Sequence, residues 1–357
     1  MTADPTSATS RDSRLLEAAR GGDDDAFRRL VQPHRQELHA HCYRMLGSVH
    51  EGEDALQDTL LRAWRGLPRF EGRSSLRSWL YRIATNVCLD RVSQRPKRAL
   101  PVDYGPAADP DVGPGEPLIE STWVEPYPDE RQGLEDGYAS PEARYERRES
   151  VELAFIVALQ QLAATQRAVL ILRDVLGFSA REVAETLDTT VASVNGALRR
   201  ARKAVAQRLP AQSQQANLRA LGDDGLREIV ERYIEAWERG DVHAILAMLA
   251  EDATFAMPPL PTWYRGRDAI AVFLTGFALR DRWRLVPARA NGQLAFGAYA
   301  WDPEKRSYTA LSLDVLTLDG TLATDITSFV TPQTVGPDRE RFAAEVFDRF
   351  GLPDQLH

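Results

Sequence analysis

A chain of 357 residues is too long for one ordinary domain, and its 43 % hydrophobic content is enough for two or three real cores. No run of about 18 apolar residues suggests a transmembrane helix, two cysteines (Cys42 and Cys88) make no disulfide framework, and the polar N-terminus lacks a signal core, so a cytoplasmic protein without a membrane partner is expected. The net charge of −8 is concentrated: residues 103–142 hold eleven acidic residues and one Arg, leaving 41 acidic against 43 basic residues elsewhere.

Residues 1–13 read as a disordered tail. From Leu15 to about Arg95 the pattern is helical, with Leu56, Leu60, Trp64 and Leu67 forming one apolar stripe. Asp54, Gln57 and Asp58, at i, i+3 and i+4, share another face. That face is either a solvated surface or a protein-docking surface. His39, His41 and Cys42 do not make a metal site, because positions 39 and 41 point roughly 200° apart on a helix and no second cluster follows. Residues 70–98 carry seven basic residues interleaved with Phe70, Trp79 and Tyr81. Positive charge beside aromatic rings suits unstacked single-stranded bases, although one of Trp79 and Tyr81 is expected in the core.

Residues 101–141 contain eight Pro and five Gly, so no regular element is expected. A structureless stretch of this length reads as a linker, 99–140. Inside it, ESTWVEPYPDE (Glu120 to Glu130) places Trp123 and Tyr127 beside Pro126 and Pro128. The two aromatics look like anchors, which either hold the acidic segment on the basic faces of 70–98 and 191–208 or belong to a plain tether. Helical periodicity returns over 141–209. Val169, Leu172 and Leu176 mark one helix, which Gly177 stops. Ser179 with Glu182 forms a capping box for the next. Thr190 caps a third, with Val191, Val194 and Leu198 as its apolar face. This is a helix-turn-helix, whose second helix enters the major groove. Arg199, Arg200, Arg202, Lys203 and Arg208 follow it without an intervening acid, as phosphate contacts require.

Residues 210–222 read as a second linker. Helices then follow at 226–239, 242–250 and 267–279, with a strand at 253–257. Asn291-Gly292 and Asp319-Gly320 mark two hairpins. Helices followed by antiparallel strands give an α+β domain, 223–335, and 336–357 reads as a tail. Pairing Leu318 with Thr321 would set Asp314 opposite Asp325. Facing carboxylates suit acid–base chemistry if buried, and are idle on a wet sheet face. Trp237, Phe255, Trp263, Tyr264 and Phe277 either line a pocket or form core.

The helical half resembles an extracytoplasmic-function sigma factor of bacterial RNA polymerase. DALQDTLLRAWRGLPRFEGRSSLRSWLYRIATNVCLDRVSQR resembles sigma domain two (14–98), and GFSAREVAETLDTTVASVNGALRRARKAV resembles sigma domain four (141–209). The resemblance implies core polymerase (β′ and β subunits) and promoter DNA as partners. It places Asp54, Gln57, Asp58 and Arg62 on the polymerase. Phe70, Ser74, Trp79, Arg82, Asn86, Arg91 and Arg95 would act at the −10 element, and Ser193, Asn195, Arg199, Arg200, Arg202 and Lys203 at the −35 element. Asp188 stands where the family usually has Gly, and Asn195 and Ala197 where it often has cations. Residues 223–335 look like a SnoaL-like domain, a cone-shaped α+β fold that modulates activity in some sigma factors. Asn291-Gly292-Gln293 resembles part of a loop in such extensions. The fold class expected is thus two all-α sigma domains joined by an acidic linker, plus the cone domain. No catalysis and no cofactor are expected. A small-molecule or protein regulator would act at the C-terminal domain, around Trp237, Phe255, Trp263, Tyr264, Asp314 and Asp325. The alternative is a DNA-binding regulator fused to a small-molecule-binding or cyclase-like enzyme domain.

Overall fold

The computed structural model describes residues 5–118, 123–129, 149–331 and 337–357. These divide into two compact units. One comprises 5–96 and 162–206. The other comprises 97–118, 123–129, 149–161, 207–331 and 337–357. No helix among the described residues is long and apolar enough to cross a membrane.

The first unit is helical: α1 Pro5–Arg20, α2 Asp24–Val31, α3 Arg35–Leu46, α4 Val49–Gly66 and α5 Leu76–Val92. The sequence expectation of a disordered tail over 1–13 is corrected for residues 5–13, which are helical, while 1–4 lie outside the described residues. Side-chain caps define the starts. Asp23 Oδ1 accepts from Asp25 and Ala26, Ser48 Oγ from Glu51, and Ser75 Oγ from Ser78. Leu56 and Leu67 are buried as the stripe demands. Later in the chain come α6 Leu153–Gln161, which belongs to the second unit, and α7 Ala164–Leu170, which runs into a π-helical turn at Ile171–Val175. The helix-turn-helix follows as α8 Ala180–Thr186 and α9 Val191–Ala206. The Ser179–Glu182 capping box is formed in both directions, and Asp188 takes the left-handed conformation (φ 49°) of the expected Gly.

The second unit is built on α10 Gln214–Glu238, α11 Val242–Ala247, α12 Arg267–Gly276 and α13 Pro337–Asp348. Its strands are β1 Leu249–Ala256, β2 Trp263–Arg265, β3 Trp283–Ala290, β4 Gln293–Asp302, β5 Ser307–Asp319, β6 Leu322–Val330 and β7 Gln355–Leu356. The sheet order is β2-β1-β6-β5-β4-β3, with β7 pairing the start of β5. Only β1 and β6 run parallel among these pairs. One sheet face packs on α10 through Phe296, Leu316, Tyr233 and Trp237.

Three linker and tail assignments are corrected here. Residues 210–222 are not a joint. Gln214, Gln215 and Asn217 are buried at the start of α10, and the helix is interrupted only at Gly222 (φ 65°). Residues 337–348 and 355–356 are helix and strand, not tail. The acidic 99–140 stretch, where described, packs into the second unit. Trp123, Val124 and Tyr127 are 7, 1 and 0 % exposed, and a helical turn forms at Pro101–Tyr104.

Candidate functional site

On α4, Asp54, Gln57 and Arg62 are exposed and Asp58 is half-buried, so the four project from one side of the helix while Leu56 faces inward. They are not isolated from the next helix. Arg91 of α5 pairs with Asp58 at 2.5 Å and with Asp54 at 3.9 Å, Arg62 pairs with Asp90 at 3.4 Å, and Arg95 pairs with Glu51. Sequence reasoning assigned Asp54 and Asp58 to one partner and Arg91 and Arg95 to another. The fold brings these groups together.

On α5, Trp79, Arg82 and Asn86 recur at helical spacing, with Arg82 and Asn86 exposed and Trp79 half-buried. Tyr81 is the aromatic in the core. Phe70 is buried, and its ring centroid stands 4.9 Å from that of Trp79. Its carbonyl accepts from the Arg20 guanidinium. Ser74 is exposed just before the Ser75 cap. His41 Nε2 lies 3.0 Å from Thr85 Oγ1 deep in this unit, and burial pushes the imidazole down to about 3, so it stays neutral.

On α9, Ser193, Asn195, Arg199, Arg200, Arg202 and Lys203 are all exposed. Arg202 makes a two-pronged contact with Asp174, at 2.8 and 2.7 Å. Ala197 is buried. The expectation that a cation is missing from the DNA face at 197 is therefore corrected, because the position packs inward. Within the unit, α5 meets the helix-turn-helix. The Arg77 guanidinium lies over the rings of Tyr81 and Phe178, at 4.9 and 5.1 Å. The buried Arg167 donates to the carbonyls of Met45 and Leu162, and burial lowers it to about 10.

In the second unit, of the two readings of the aromatic set, core is the one seen for three of its members. Trp237, Phe255 and Tyr264 are core, packed edge and face on Tyr233, Trp283 and Phe273. The Trp263 indole donates to Gly105 O at 2.9 Å. A bulge at Thr317/Leu318 shifts the β5–β6 register, so Asp314 opposes Ser328, and Asp325 opposes Thr317. The two carboxylates do not face each other. Asp314 is 3 % exposed rather than on a wet face. Its Oδ1 accepts from Ser312 and Ser328 at 2.9 and 2.6 Å, and burial raises it to about 6. Asp325 accepts from Thr254 and Thr324.

Sequence reasoning marked the β3–β4 turn but missed what its side chains hold. Asn291 Oδ1 accepts from Tyr127 N, Asn291 N donates to Tyr127 O, and Asn291 Nδ2 donates to Val151 O, all within 2.7–2.8 Å. Gly292 N donates to Asp129 Oδ1 at 2.7 Å, and Gln293 Oε1 accepts from Leu153 N at 2.8 Å. One turn thus grips the chain both before and after residues 130–148. A second set sits at the start of α10. Gln214 exchanges bonds with Leu318 N and O, Asn217 with Gly320 N and O, and Gln215 donates to Gly292 O. Glu152 accepts from Gln215 N, and burial lifts it to about 7. The available signal was the amide-rich run Ser213–Asn217, because a primary amide can satisfy both halves of an exposed peptide unit.

An exposed basic helix-turn-helix beside an acidic helical face, carried with an α+β domain, defines a DNA-binding transcription factor with a fused accessory domain. Three families match in the same order: sigma-70 region 2 over residues 30–98, sigma-70 region 4 over 152–205, and the SnoaL-like domain over 230–326. The chain is 38 % identical over 345 residues to the ECF RNA polymerase sigma factor SigG of Mycobacterium tuberculosis, covering 94 % of this chain and 86 % of that one. It is 29 % identical over 198 residues to SigW of Bacillus subtilis, covering 55 % and 95 %. The crystal structure of the M. tuberculosis sigma factor SigJ shares the fold, with a TM-score of 0.53 at 21 % identity, covering 86 % of this chain and 96 % of that one. The chain belongs to the ECF RNA polymerase sigma factors, and it carries a SnoaL-like C-terminal domain.

Proposed function

We infer that Asp54, Gln57, Asp58 and Arg62 dock on the β′ subunit of core polymerase. In the same reading, Phe70, Ser74, Trp79, Arg82, Asn86, Arg91 and Arg95 open and hold the −10 element, and the exposed residues of α9 read the −35 element. The C-terminal domain regulates this activity without catalysis. The observation that carries the regulatory part is the grip of Asn291 and Gln293 on residues 127 and 151–153. That grip makes the connection between the two promoter-reading domains part of the C-terminal unit.

A compact body of about 140 residues has a radius of gyration of about 14 Å, and so is about 37 Å across. Elements named −35 and −10 lie about 25 base pairs, or about 85 Å, apart. The helical unit therefore has to open, breaking the Arg77–Phe178 and Arg167 contacts, before both elements are read together. The state of the connecting chain decides how readily it opens. Run-off transcription with core polymerase, comparing full-length protein with Asn291→Ala and Gln293→Ala, tests the regulation. Equal output from all three would sink it. Loss of core co-purification by the Asp54→Ala, Asp58→Ala double variant tests the docking face. The cyclase-like alternative relied on facing Asp314 and Asp325, which do not oppose each other.

A further inference from the structure

The outward face of α9 carries two features that packing within the protein does not explain. Spacing groups Val191 with Val194 and Leu198, yet Val191 is 44 % exposed while those two are 0 and 7 % exposed. Gly196 sits inside the helix, where glycine is unfavourable because it has the most backbone freedom to lose. A Cβ built there would meet only Arg200 Nη1, at 3.5 Å, so no neighbour demands the glycine.

Asn195 stands between these two features. At about 100° per residue, Val191, Asn195 and Arg199 drift by only about 40° per step and form one ridge, with Ala192 and Gly196 beside it. Asn195 is exposed, and among the described residues its amide has no hydrogen-bond partner. Ser193 is turned about 160° from Asn195. Its hydroxyl accepts from Thr190 Oγ1 at 3.2 Å, and that same oxygen accepts from Ser193 N at 3.1 Å. Arg202 is held by both oxygens of Asp174.

A primary amide matches one base at the major-groove edge. Its oxygen accepts from adenine N6, and its nitrogen donates to adenine N7. The side chain is short, so the helix backbone has to come close to the bases. The small Ala192 and the bare Gly196 leave that approach open. Val191, one turn nearer the helix start, offers methyl groups beside the amide, and the apolar group at that groove edge is the thymine 5-methyl.

We propose that Asn195 fixes one A·T pair of the −35 element through adenine N6 and N7, with Val191 packed on the 5-methyl of a neighbouring thymine. Arg199 and Lys203 contact phosphate and carry no base preference. The asparagine that stands in place of a cation is thus a reader. The proposal rests on the −35 reading of α9 and adds the base pair and the residues that recognise it.

The test selects bound DNA from a random duplex library, long enough for both elements, with full-length protein and core polymerase. The parent should enrich A·T at one position. Asn195→Ala should lose the preference there and keep the rest of the sequence. Arg199→Ala should weaken binding without changing the sequence. In the enriched duplex, 7-deazaadenine replaces only the N7 acceptor at that position by C–H. It should weaken the parent at least about fivefold and Asn195→Ala by less than about twofold. Uracil in place of the neighbouring thymine removes only the methyl, and should weaken the parent but not Val191→Ala. The modified bases probe the same contacts on the unaltered protein, so the test does not depend on the variants alone. Retention of the preference by Asn195→Ala, or an equal effect of 7-deazaadenine on both proteins, overturns the proposal. A parent that still selects a sequence then leaves the −35 reading standing. An equal effect of uracil on the parent and Val191→Ala overturns the Val191 contact. A parent that enriches no sequence removes the −35 reading and the proposal together.

Discussion

The Arg91 guanidinium sits 2.5 Å from the Asp58 carboxylate, tying α5 to α4. A residue proposed to hold DNA is neutralised by one proposed to hold polymerase. Both side chains are partly exposed, so the pair contributes only about 0–1 kcal/mol to stability. Asp58→Ala should therefore leave unfolding almost unchanged. It should weaken core polymerase binding by about tenfold or more, a difference of about 1.4 kcal/mol. It should also free Arg91, so that the salt dependence of DNA binding by free protein steepens by about one unit. A filter-binding salt titration that gives parent slopes would contradict this.

Arg202 is held by Asp174 on both prongs while its neighbours Arg199 and Arg200 are open to solvent. Asp174→Ala should raise the affinity of free protein for duplex DNA at low salt. Arg199→Ala should lower it and flatten the salt slope by about one unit. The same titration reads both, and equal slopes across the three proteins would remove α9 from the phosphate contacts.

Burial disfavours the charge of Asp314 and raises it from the ordinary 3.8 to about 6 in the folded protein. The folded state thus keeps its proton to higher pH than the unfolded chain. The stabilisation linked to this group is full below about pH 4 and is lost as pH rises through about 6. Glu152, lifted to about 7, acts in the same direction at slightly higher pH. Both serine bonds end on Asp314 Oδ1, so Asn can retain them. Asp314→Asn should stabilise the second unit by about 1–3 kcal/mol at pH 8 and by little at pH 4. Urea unfolding at the two pH values checks this, and a gain that is the same at both would refute the burial argument.

Asn291 stands at φ 55°, where Asn is tolerated, and its side chain satisfies Tyr127 N and Val151 O. Asn291→Ala leaves two buried backbone groups unpaired, each costing about 1–3 kcal/mol. The amide of Tyr127 should then exchange at least about tenfold faster. Exchange as slow as in the parent would place the anchor elsewhere.

Much of the site was written locally. The Ser179–Glu182 box, the Thr190 cap and the outward spacing of Asn195, Arg199 and Arg202 depend on neighbours three or four residues away. The Asn291-Gly292 turn fell where the local rule puts it, with Ala290 opposite Gln293. What escaped depended on distant partners. Pro and Gly correctly announced that residues 101–118 hold little regular structure, but not that Trp123 and Tyr127 have a socket. One bulge at Thr317/Leu318 was enough to part Asp314 from Asp325. Asn291 and Gln293 read as turn formers because their partners lie about 140 residues or more upstream.

The second unit draws on 97–129 and 149–161 as well as on everything after 206. A ribosome therefore finishes both promoter-reading domains while the socket for Trp123 and Tyr127 is still unmade. The last stretch, 207–357, takes on the order of ten seconds to synthesise at about 5–20 residues per second. During that interval Trp123 and Tyr127 have no socket, so the regulation proposed for the C-terminal unit would begin only when translation ends, after a delay set by translation speed rather than by any equilibrium.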